Sequence, residues 1–206
     1  MSLTAMFQGL ILGAGMIIPI GAQNSYILSQ GIKRNHHILA ATICMVCDVA
    51  LIGLGIFGGG KLIASHEYLM LAIGWGGILF LGTYASIAFK NAWQNKYQQA
   101  SQLKATNNRK KIVGTTLAVT LLNPHVYLDT VMILGSVGGT FEGNERLAFA
   151  IGTMLASILW FYSLAIGAAK MAPWLGHPKV QRAIDMLVGS IMVLVAYSVF
   201  NTLLNQ

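Results

Sequence analysis

The stretch "LNPHVYLDT", Leu122 to Thr130, carries a proline and an aspartate in the middle of a long apolar segment, and how those two residues are read decides the fold. Apolar and small residues flank it on both sides. The whole window, about 112 to 138, has the roughly 20 residues a helix needs to cross hydrocarbon. Within such a helix a proline removes one backbone donor, and its ring clashes with the carbonyl four residues back. In lipid no water is at hand to repair the loss, so broken backbone survives only where it is buried in protein or lines a wet cavity.

Five further windows have the same character, at about 3 to 28, 38 to 60, 67 to 89, 147 to 169 and 183 to 204. Of the 206 residues 55% are hydrophobic and only 9% are charged, and the mean hydropathy is +0.65. That is too apolar for a soluble domain. The expected fold class is an all-α integral membrane protein whose six transmembrane helices form one domain over residues 1–206. The first window has no basic residues ahead of its apolar run, so it reads as a membrane helix and not as a secretory signal.

The net charge of +7 reports orientation in the membrane. Eleven of the 13 basic residues fall in or beside the first, third and fifth loops, and only Lys61 and Arg146 accompany the second and fourth. By the positive-inside rule the odd loops are cytoplasmic and both termini lie outside. A nucleic-acid partner is not expected.

A polar, basic linker, about 93 to 111, separates a first half (about 1 to 92) from a second (about 112 to 206). Three spans per half means that a second copy enters the membrane from the opposite face, which predicts an inverted repeat. The spacings agree. Pro19 precedes Asn24 by five residues as Pro124 precedes Asp129, and Gly76 precedes Tyr84 by eight as Gly189 precedes Tyr197. Spans one and four are therefore expected to break at proline, with Pro19, Gly21 and Pro124 as the breaking residues. Glycine pairs such as Gly9 with Gly13, Gly55 with Gly59 and Gly135 with Gly139 predict close helix contacts, either within the chain or in a homodimer.

Two carboxylates lie well inside spans: Asp48, about ten residues or ~15 Å into span two, and Asp129 in span four. An ionisable group there costs at least ~2.5 to 3.5 kcal/mol on insertion scales and usually marks an ion or substrate pathway; the alternative for each is an aspartate bonded to nearby hydroxyls or amides as helix glue. No lysine or arginine lies in a span core to neutralise them, so an incoming cation or a proton must. Gln23, Asn24, Asn123, His125 and Tyr127 surround the two prolines, and Trp160 lies halfway along span five, where it either packs in the core or stacks on a flat cation. Asp185, beside Arg182 near the start of span six, reads as a surface partner of that arginine. Cys44 and Cys47 read as small packing residues, with metal binding as the alternative.

Four segments together resemble the LysE-type basic amino-acid exporters: "IPIGAQNSYILSQGIKR" (Ile18 to Arg34), "CDVALIGLGIFGG" (Cys47 to Gly59), "WGGILFLGTYA" (Trp75 to Ala85) and "LLNPHVYLDTVMILGSVGG" (Leu121 to Gly139). The similarity covers nearly the whole chain and is closest to the bacterial arginine exporter branch. It implies a multi-pass protein of the bacterial inner membrane that exports L-arginine, with L-lysine and analogues such as canavanine as further cargo, by proton antiport with alternating access. Asp48 and Asp129 then serve both substrate binding and proton coupling, joined at the binding site by Gln23, Asn24, Asn123, His125, Tyr127 and Trp160. The expected partners are a basic amino acid, protons and the lipid bilayer; no catalytic residue, cofactor or resident metal is expected. One departure from the family pattern is Ala22, where a proline is expected before the Gln-Asn pair. The alternative within the superfamily is a divalent-metal exporter using Cys44, Cys47, Asp48 and His125. An intramembrane aspartyl protease is disfavoured, because neither aspartate sits in the Gly-x-Gly-Asp element such enzymes need.

Overall fold

The computed structural model describes residues 2–19, 21–58, 67–93, 108–175 and 177–204, and every regular element among them is helical. Most of the basic linker, together with Gly59 and Lys61, lies outside the described residues. In chain order the helices are α1 (Leu3–Ile17), α2 (Ala22–Ile32), α3 (His37–Ile56), α4 (Glu67–Trp93) and α5 (Arg109–Leu121). The next, α6 (124–139), opens with the short turn Pro124–Val126, continues as a π-helix over Tyr127–Ile133 and returns to α-helix over Leu134–Gly139. Two long helices, α7 (Gly143–Leu175) and α8 (Pro178–Leu204), complete the bundle.

Three segments, His37–Ile56, Gly143–Trp174 and Lys179–Asn201, are long and apolar enough to cross a bilayer by themselves. The pair α1 and α2 makes a fourth if its two helices, bent by 78°, form one span. Side chains that would be buried in a soluble protein point outward instead: Leu3, Phe7 and Ile11 form an exposed apolar stripe along α1. Such a face suits a hydrocarbon solvent.

Capping marks where two of the helices begin. The Ser2 hydroxyl accepts from the Ala5 N–H at the start of α1, and the Asn108 side-chain Oδ1 accepts from the Lys111 N–H at the start of α5. Each satisfies one of the orphan donors of a first turn.

Packing follows the small residues. Helix α1 lies along α7, and α4 along α8. A Cβ at Gly9 would run into the carbonyl of Phe149, and one at Gly135 would sit 2.8 Å from the Gly55 carbonyl oxygen. Gly13 likewise faces Thr153. Gly9, Gly13, Gly55 and Gly135 are therefore used inside the chain, and their spacing no longer argues for a dimer. Helix α7 packs against both α1 and α2, while α3 packs against both α5 and α6.

The reading of Asp185 needs correction. It is buried, with 6% of its surface exposed, and the Lys33 ammonium lies 4.0 Å from its carboxylate. The physical reason is tertiary: α2 packs against α8, which brings the α2–α3 turn over the first turns of α8.

Candidate functional site

Both helix breaks open onto one cavity of about 190 Å³, lined by Pro19, Gly21, Gln23 and Asn24 from the first break, by Asn123, His125 and Asp129 from the second, and by Asp48 from α3. Met16, Ile17, Ala22, Val126, Thr130 and Val195 complete its wall. Among the described residues the lining holds two carboxylates and one histidine, with no lysine or arginine.

The first break runs from the end of α1 at Ile17 to the start of α2 at Ala22. It leaves carbonyls without intrahelical partners. The Asn24 amide supplies them: its Nδ2 donates to the oxygens of Ile17 at 2.8 Å and Pro19 at 2.8 Å, and more weakly to that of Ile18 at 3.4 Å. The Trp160 indole N–H in turn donates to Asn24 Oδ1 at 3.1 Å. Asn24 is thus engaged at both ends as a strut, and Trp160 stands behind it, outside the cavity lining. Ala22 is the first residue of α2, the position in a helix where proline fits best. The departure from the family pattern falls where an alanine can also begin a helix, and the break forms without it.

The second break is shorter, with only Leu122 and Asn123 between α5 and Pro124. Asn123 Oδ1 accepts from the His125 N–H at 3.2 Å, so this asparagine acts as the cap of the restarting helix. Pro124 is its first residue, where the missing N–H costs nothing. The Tyr127 hydroxyl donates back to the Leu121 carbonyl at 2.9 Å, and Tyr127 does not line the cavity. The π-helix that follows carries Asp129; π turns re-aim side chains and are frequent at functional sites. The His125 Nε2 lies 3.2 Å from the Ser198 hydroxyl of α8, in hydrogen-bond contact.

The two aspartates differ. Asp48 is 2% exposed, and both of its oxygens are occupied: Gln23 Nε2 donates to Oδ1 at 3.3 Å and the Ser157 hydroxyl to Oδ2 at 3.3 Å. The same Gln23 amide reaches Thr120 Oγ1 at 3.3 Å, and that hydroxyl contacts Cys44 Sγ at 3.5 Å. Four helices, α2, α3, α5 and α7, are tied together through this one carboxylate. Asp129 is half-buried, and its carboxylate makes no hydrogen bond among the described residues.

Six of the residues singled out from sequence, Asp48, Asp129, Gln23, Asn24, Asn123 and His125, line the same cavity. Thr120 and Ser157 escaped notice as ligands of the site because a hydroxyl in an apolar helix usually bonds its own backbone. The only available cue was that Thr120 lies four residues before Pro124. As for the metal-binding alternative, no three His, Cys, Asp or Glu side chains among the described residues gather closely enough to hold a metal ion.

The LysE type translocator family matches residues 14–202. YggA of Aeromonas salmonicida is 52% identical over 186 residues, covering 90% of this chain and 90% of its own length. The arginine exporter protein ArgO of Escherichia coli (strain K12) is 47% identical over 190 residues, 92% of this chain and 90% of its own. The arginine exporter protein ArgO of Yersinia enterocolitica is 43% identical over 203 residues, 98% and 99% of the two chains. No solved structure matches the chain.

Proposed function

Because the chain belongs to the LysE-type translocator family, we propose that it is a secondary exporter of L-arginine across the bacterial inner membrane, exchanging cargo for protons. L-lysine and analogues such as canavanine are the further cargo. The observation that carries this reading is the cavity between the two breaks, walled by two carboxylates and one histidine, with no lysine or arginine among the described residues of its lining. A cationic amino acid supplies the missing charge. Relatives of nearly equal length that bear the name arginine exporter support the choice of cargo.

Arginine carries a net +1 at neutral pH, and moving it out against an inside-negative potential costs ~2.3 kcal/mol per 100 mV. Inward movement of at least one proton offsets that cost, and a carboxylate inside the membrane is the natural carrier. The packing supports alternating access between two inverted three-helix halves, 1–92 and 112–206. Helix α7 touches both halves of the first broken span, and α3 touches both halves of the second. Under a two-fold exchange of the halves these two sets of contacts become each other. The six-span count, with the odd loops and the basic linker on the cytoplasmic side, belongs to the same reading.

The test is counterflow of labelled arginine in proteoliposomes, competed with lysine, ornithine, neutral amino acids and divalent metals. Arginine uptake competed by lysine and untouched by metals is the expected result. Competition by a divalent metal, or arginine flux that leaves an imposed proton gradient unchanged, would overturn the proposal.

A further inference from the structure

We propose that the two membrane aspartates divide the work: Asp129 is the ligand of the cargo's cationic group, and Asp48 is a positioning residue that holds four helices in register around the cavity. The proposal rests on the export reading above and assigns roles within that site.

The argument is geometric. A guanidinium or ammonium group approaching Asp48 must reach a carboxylate that is 2% exposed and displace either Gln23 from Oδ1 or Ser157 from Oδ2. Displacing Gln23 also breaks its bond to Thr120. At Asp129 the same group displaces nothing, since that carboxylate faces the cavity half-buried and has no hydrogen bond among the described residues. A planar guanidinium gains most where both carboxylate oxygens are open to two parallel N–H···O bonds. Asp129 offers that arrangement. Asp48 is built into a belt that runs from Ser157 of α7 through Asp48 of α3 and Gln23 of α2 to Thr120 of α5. Its position at the junction of both halves suits a group that reports occupancy to the moving parts.

The roles separate in a comparison of binding with turnover on the purified full-length chain, using arginine and citrulline, its neutral isostere, as probes. Asp129→Asn is expected to weaken arginine binding by about thirtyfold or more, as loss of one partner of a buried charge pair does, and to abolish the preference over citrulline. Asp48→Asn should bind arginine within about threefold of wild type and keep that preference, while exchange velocity falls by roughly tenfold. Ser157→Ala and Thr120→Val, which leave every charge in place, should lower the maximal velocity without changing KM; they carry the test if Asp48→Asn does not fold. Equal loss of affinity in Asp48→Asn and Asp129→Asn overturns the division, as does a raised KM with unchanged velocity in Ser157→Ala. Failure of the wild-type chain to bind arginine at all overturns the export reading itself, a result distinct from either.

Discussion

The two helix breaks meet the same difficulty with different side chains. At the first, four residues separate α1 from α2, and a single asparagine reaches back from the second helix to three carbonyls, with a tryptophan from α7 holding its other end. At the second, two residues suffice: Asn123 caps the restart, Pro124 opens it, and the Tyr127 phenol takes up one carbonyl. In each case the end of the first helix is satisfied by a side chain from the start of the next. The solutions differ in how much depends on one residue. The first break concentrates its repair in Asn24; the second distributes it.

That difference orders the expected damage. Asn24→Leu, nearly equal in volume, leaves at least two carbonyls and the Trp160 indole without partners. It should destabilise the protein by roughly 3 kcal/mol or more and abolish export; thermal unfolding of the purified chain beside a cellular canavanine-resistance assay would measure both. A stable, active Asn24→Leu protein would mean that the first break is held by something other than this strut. Tyr127→Phe removes one hydroxyl and one bond, for about 1 kcal/mol. Export should persist at a severalfold lower rate, and an effect as large as that of Asn24→Leu would erase the contrast between the breaks. Ala22→Pro should do least. At the first position of α2 a proline loses no helical bond and restricts the unfolded chain, so a gain of about 0.4 to 1 kcal/mol with export intact is expected. Its failure would show that burial of Ala22, which is 0% exposed, matters more than its place in the helix.

How much of this could be read beforehand depends on the range of the interaction. Pro19, Pro124, Asp48 and Asp129 were visible because each is costly in hydrocarbon, and costly residues are few in such a chain. Their partners were not. Asp48 meets Ser157 across 109 positions, Gln23 meets Thr120 across 97, and Asn24 meets Trp160 across 136. Threonine and serine carry no signal of their own in an apolar helix, and nothing in "YLDTVMI" announces a π-helix. Asp185 makes the point from the other side, since its sequence neighbour Arg182 suggested a surface position, whereas packing buries it and brings Lys33 to within 4.0 Å.

The sequence by itself determined the apolar, helical character of the chain, the approximate extent of the helices, where two of them break and which carboxylates lie within apolar stretches. These follow from local physics, because a residue's transfer cost and a proline's missing donor do not depend on what lies across the bundle. The tertiary structure alone decided that both breaks open into one cavity, that Asn24 and Tyr127 serve the backbone, and that one aspartate is bound on both oxygens while the other faces the cavity. Those are properties of distances between helices far apart in the chain, set by where glycines let backbones approach, and no single segment contains them.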